Sequence, residues 1–75
     1  MARVPDYVRV VNDIAGLIEV GELKGGDRLP TYAELAKRYE VSVTTVQTAL
    51  RILSERGLVE GQQGKGVFVR DQTQQ

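Results

Sequence analysis

Five polar side chains that can hydrogen-bond fall within one short uncharged stretch, Ser42-Val43-Thr44-Thr45-Val46-Gln47-Thr48. A glutamine amide can bond both N6 and N7 of adenine, and threonine hydroxyls serve bases or phosphates. The methyls of Val43 and Thr44 can pack on the C5-methyl of thymine. The same turn also suits plain helix capping with a solvated face, and alone it does not choose between these readings. A second stretch, Gln63-Gly64-Lys65-Gly66, sets one lysine between two glycines. Glycine lets the backbone turn sharply and approach a phosphate or a groove floor closely. A narrow minor groove attracts the lysine charge, although an ordinary hairpin turn needs glycine just as much. A third group, Thr31, Tyr32 and Ala33, opens a short helical stretch whose first N–H groups favour an anion. Lys37 and Arg38 follow on the same helix and could flank a nucleic-acid backbone, but on their own they read better as a solvated charge pair.

Other chemistry finds little to work with. The chain has no cysteine and no histidine, so a disulfide framework, a thiolate metal site and the commonest general base are missing. Ser42 and Ser54 lack a base partner, the carboxylates are scattered, and Gly64-Lys65-Gly66 lacks the spacing of a phosphate-binding loop. No catalytic residue, metal ligand, cofactor or effector pocket is expected. Seventy-five residues make one small domain, read here as residues 1–70, with a frayed tail over 71–75. No apolar run reaches the ~18–20 residues of a membrane span, and the N-terminus lacks a signal-peptide block. A soluble cytoplasmic chain with no membrane contact is expected.

Ten basic and ten acidic residues cancel. A basic footprint is the usual first sign of nucleic-acid binding, so the balance counts against it. From residue 23 onward, however, eight basic side chains stand against six acidic ones, a mild positive excess.

Helices and a hairpin must position these groups. Apolar residues at 7, 10, 11, 14, 17 and 18 follow a helical rhythm, with Pro5 in the first turn and Gly21 at the stop. Arg28-Leu29 reads as a short extended piece before Pro30. Thr31 and Glu34 form a capping box for a second helix of roughly 8 to 9 residues, with Leu35, Ala36 and Tyr39 inward. Glu40-Val41-Ser42-Val43 is the turn, and Ser42 caps a third helix whose Val46, Ala49, Leu50 and Leu53 point to the core. Two strand-like runs around Gly64-Lys65-Gly66 make a hairpin. The order predicts an α+β fold, a winged helix-turn-helix: three helices plus a small antiparallel sheet with a β-hairpin wing.

These residues together resemble the DNA-binding domain of the GntR family of bacterial transcriptional regulators. The resemblance runs from about Pro5 to Val69, through Leu29-Pro30, Glu34-Leu35-Ala36, Val41-Ser42-Val43-Thr44-Thr45-Val46, Gly57-Leu58 and a Gly64-Lys65-Gly66 wing followed by Val67, Phe68 and Val69. It implies a regulator, a repressor in type, that binds operator DNA as a homodimer on an inverted repeat. It implies DNA contacts at Thr31, Ala33, Ser42, Val43, Thr44, Thr45, Gln47, Gln63, Gly64 and Lys65, to which the side-chain chemistry adds Tyr32 and Thr48. Residues 43–56 would lie in the major groove and 63–66 in the minor groove. Many family members carry arginine or another polar residue where this chain has Ala33, Val43 and Gln47, which implies a flatter salt dependence. The competing reading is a protein-interaction module on the same scaffold, with Tyr32, Val43, Val8 and Val11 as its contact patch.

Overall fold

A computed structural model describes residues 5–71. Three helices, α1 (Asp6–Glu19), α2 (Tyr32–Tyr39) and α3 (Val43–Glu55), precede two strands, β1 (Val59–Gln62) and β2 (Gly66–Val69). This is the expected α+β order.

Pro5 caps α1 rather than lying inside it, and its carbonyl accepts from Val8 and Arg9. Proline has no side-chain cap to offer, so the helix opens on backbone bonds alone. Past Val20, Gly21 adopts φ 85, and Glu22 and Leu23 both donate to the Leu17 carbonyl. α2 opens with the full capping box: the Glu34 N–H donates to Thr31 Oγ1 at 3.1 Å, and the Thr31 N–H donates to the Glu34 carboxylate at 2.9 Å. It ends on Glu40 at φ 58, a left-handed residue without the relief that glycine would give. Only Glu40, Val41 and Ser42 separate α2 from α3, one residue fewer than the sequence suggested, because Val43 already belongs to α3.

The core gathers one face of each element. Val10, Val11 and Ile14 of α1 meet Val46, Ala49, Leu50 and Leu53 of α3, with Leu35 and Ala36 of α2, Leu29, Val59 and Val69 closing the cluster. Tyr7 stays exposed despite its place in the α1 apolar rhythm. Val11 is 2% exposed, so it belongs to this core and cannot join a surface patch; Val8 is only partly exposed.

β1 and β2 pair antiparallel, Val59 opposite Val69 and Gln62 opposite Gly66. The Arg28–Leu29 segment adds a third edge through a bridge between Arg28 and Phe68. Leu29 N–H donates to the Val67 carbonyl, Gly26 N–H to the Val69 carbonyl and Val69 N–H to the Asp27 carbonyl, each at 2.8 Å. Asp71 lies against Gly25, where any Cβ would come within 2.7 Å of the Asp71 Cα. The remainder of the expected tail, residues 72–75, lies outside the described residues, as do residues 1–4.

Candidate nucleic-acid interface

The start of α3 is fixed by Ser42, whose Oγ accepts from the Thr45 N–H at 3.1 Å. Its hydroxyl also lies 2.9 Å from Thr45 Oγ1. Thr45 is therefore half-buried with its hydroxyl turned toward the cap, not held out with its neighbours. Thr48 is likewise half-buried, whereas Val43, Thr44 and Gln47 are exposed. Val46 is fully buried and holds the other side of the helix in the core. Helical geometry then keeps Val43 and Gln47, four residues apart, on one stripe with Arg51.

The hairpin loop is built on positive backbone angles. Gln62 accepts from the Lys65 N–H at 2.9 Å, closing a four-residue turn with Gly64 at φ 78 in its third position. That position of a type II turn requires φ > 0, which explains the glycine there. Gln63, Gly64 and Lys65 are all exposed.

Two hollows bring the three elements together. One, of about 360 Å³, lies between the start of α2 and the hairpin, and Thr31, Tyr32, Gln63 and Gly64 line it. Beside it Tyr32, Gln47 and Arg51 face Gly61 and Val67 across a second hollow of about 210 Å³. Tyr32 is shared, so its ring, 38% exposed, stands where α2, α3 and the hairpin meet. Ala33 is exposed in the first turn of α2. Ser42, Val43 and Thr44 border neither hollow and sit at the outer tip of α3.

Arg28, Arg38 and Arg51, absent from the sequence-based site, also line these hollows or the one beside them. Arg51 had a signal, its spacing four residues beyond Gln47. Arg28 had none, because its place depends on pairing with Phe68 far along the chain. The Glu34 carboxyl is held below its ordinary value by the Thr31 N–H and hydroxyl, and further by the nearby Arg28 and Arg38. On the other side of α2 the Tyr39 hydroxyl donates to Asp13, and Arg9 donates to the Tyr39 carbonyl at 3.1 Å, tying α2 to α1. Burial first, then the Asp13 carboxylate, pushes the Tyr39 phenol up to about 12.

Among the described residues no group of three or more carboxylates, histidines or cysteines is placed to hold a metal ion. Among them also, no helix is long and apolar enough to cross a membrane.

The family model for bacterial regulatory proteins of the gntR family matches residues 6–69. The chain belongs to the GntR family. Among curated relatives it is 40% identical over 72 residues to the mannosyl-D-glycerate transport/metabolism system repressor MngR of Escherichia coli (strain K12), covering 96% of this chain and 30% of that protein. It is 37% identical over 70 residues to the histidine utilization repressor of Klebsiella aerogenes, covering 93% of this chain and 29% of that protein. The chain thus spans under a third of the length of either relative. Among solved structures, the DNA-binding domain of AraR in complex with operator ORR3 superposes with a TM-score of 0.87 at 32% identity, covering 91% of this chain and 82% of that one. A GntR family transcriptional regulator from Listeria monocytogenes gives 0.87 at 31% identity, covering 95% and 62%. The winged helix-turn-helix read from the sequence is the fold of this GntR domain.

Proposed function

We propose that this domain binds double-stranded DNA sequence-selectively as part of a cytoplasmic transcriptional regulator, a repressor in type and not an enzyme. One observation carries the reading: Gln47 of α3, Tyr32 of α2 and Gly61 of the hairpin converge on a single hollow, on a fold solved with operator DNA in AraR. α3 enters the major groove through its N-terminal turn, as the second helix of a helix-turn-helix does. Gln47 reads adenine there by its amide, Val43 and Thr44 pack on thymine methyls, and Ser42, Thr45 and Thr48 border the contact. The loop Gln63-Gly64-Lys65 follows the adjacent minor groove, and Thr31, Tyr32 and Ala33 meet the sugar-phosphate backbone between them.

A single domain of this size covers roughly 600–1,000 Å² on DNA, which calls for a second copy to reach useful affinity. Two copies related by a twofold axis read an inverted repeat. The protein-interaction reading loses Val11 from its patch, since Val11 lies in the core; Tyr32 and Val43 stay exposed, but the fold is one solved with operator DNA in AraR.

Selection of bound duplexes from a random-sequence pool tests this. A short motif containing A·T pairs is expected to enrich. Gln47→Ala is expected to relax preference at one position by ~1–3 kcal/mol, and Lys65→Ala to weaken all sequences about equally. A bound fraction no different in sequence from the input pool would overturn the proposal.

A further inference from the structure

Three arginines ring the proposed interface, and among the described residues none of them closes a salt bridge. The salt bridges among the described residues are Arg9–Asp6 and Arg70–Glu60, and neither engages Arg28, Arg38 or Arg51. The Arg28 side chain reaches along β2 toward the loop end of the hairpin: a Cβ built on Gly66 would come within 3.0 Å of its Nε. It lines both the hollow between α2 and the hairpin and a neighbouring one shared with Thr31, Glu34 and Arg38. Arg51 opens into the hollow of Gln47 and Tyr32. Glu34 is the one carboxylate lining these three hollows among the described residues; it accepts from the Thr31 N–H and stands against two arginines, Arg28 and Arg38. The other carboxylates of the hairpin region, Glu60 and Asp71, line a separate hollow with Phe68 and Arg70, and Glu60 is already paired with Arg70. Zero net charge thus hides a sorted surface, with positive charge in excess where α2, α3 and the hairpin meet.

We propose that Arg28, Arg38 and Arg51 make the main DNA-phosphate contacts of this domain, in place of the side chains that Ala33, Val43 and Gln47 do not supply. This rests on the DNA-binding reading above and adds which groups carry its electrostatic part. Guanidinium suits the task, since its planar fork matches two phosphate oxygens and keeps its charge at any working pH. Phosphate contacts release counterions, so each one contributes about 0.9 to the slope of log affinity against log salt.

The test is a series of anisotropy titrations over a range of potassium chloride, with a selected duplex and a scrambled one. The triple substitution Arg28→Gln, Arg38→Gln, Arg51→Gln is expected to lower the slope by about 2.7 on both duplexes, leaving the order of base preference intact. The triple lysine variant is expected to restore most of the slope. Arg9→Gln, on α1 and already engaged by Asp6 and the Tyr39 carbonyl, is expected to leave it unchanged. Circular dichroism checks folding. Should the triple glutamine variant not fold, the three single substitutions, at about 0.9 each, carry the same measurement. A folded variant with the wild-type slope overturns the proposal and leaves DNA binding standing. A change of preference at one base pair on Arg51→Gln overturns the phosphate role of that residue. Wild-type protein that binds neither duplex ends both readings.

Discussion

The two faces of α3 are made of different materials. Toward the core, Val46, Ala49, Leu50 and Leu53 are between 0% and 3% exposed and touch α1, α2 and the hairpin. Toward solvent, Val43, Thr44, Gln47 and Arg51 are exposed, and none of the hydrogen bonds that close the helix start depends on them. On the proposed reading, stability and recognition are therefore carried by different side chains of one thirteen-residue helix. A change on the inner face should alter folding for every ligand. A change on the outer face should alter the choice of ligand and leave folding nearly as it was.

The largest test of that division is Leu53→Ala, which empties space at the meeting of α1 and α3. It is expected to cost ~2–5 kcal/mol, a large part of what holds a domain of this size, read from chemical denaturation. An unmoved midpoint would break the division. Its counterpart is Gln47→Ala, expected to stay within about 0.5 kcal/mol of wild-type stability while losing its base preference. A comparable loss of stability would show that the outer face is structural after all.

Thr31→Ala sits between the two, because Thr31 both caps α2 and borders the hollow. Loss of the cap is expected to cost ~0.5–2 kcal/mol. Thr31→Ser keeps the hydroxyl and should restore most of it, which separates capping from any contact made by the threonine methyl.

The smallest effect concerns alkaline pH. The Tyr39 phenol is held protonated to about 12 in the folded state against an ordinary value of 10.0. Its contribution is therefore complete below pH 10 and fades as pH rises through about 12. Tyr39→Phe is expected to flatten that limb in denaturation midpoints measured at rising pH. An unchanged limb would mean that neither burial of the phenol nor its bond to Asp13 couples its ionisation to folding.

Local signals in the sequence located most of this fold. Thr31 and Glu34 marked the capping box that the structure contains, and the helical spacing of Val46, Ala49, Leu50 and Leu53 marked the inner face of α3. Gly64 marked the turn of the hairpin because only that conformation needs it. The errors share a cause. Spacing says which face a residue occupies, but not how deeply the neighbouring element covers it. Tyr7 fits the apolar rhythm yet keeps 38% exposure, while Val11 fits the same rhythm and is buried, so it cannot join a surface patch. Thr45 was read as outward because its second hydrogen bond, back to Ser42, is not fixed by residue type. Arg28 was passed over because strand pairing across many residues, not local pattern, decides what stands beside it.

The bonds joining Gly26, Asp27 and Leu29 to Val67 and Val69 make the hairpin and the lead-in to α2 a single stiff plate. Pro30 and Thr31 follow directly, so a tilt of β2 is handed to the first turn of α2 with little slack. On the proposed reading, gripping a duplex with the loop at one end of that plate aims the start of α2 as well, so the groove contact and the backbone contact on either side of α3 are set together.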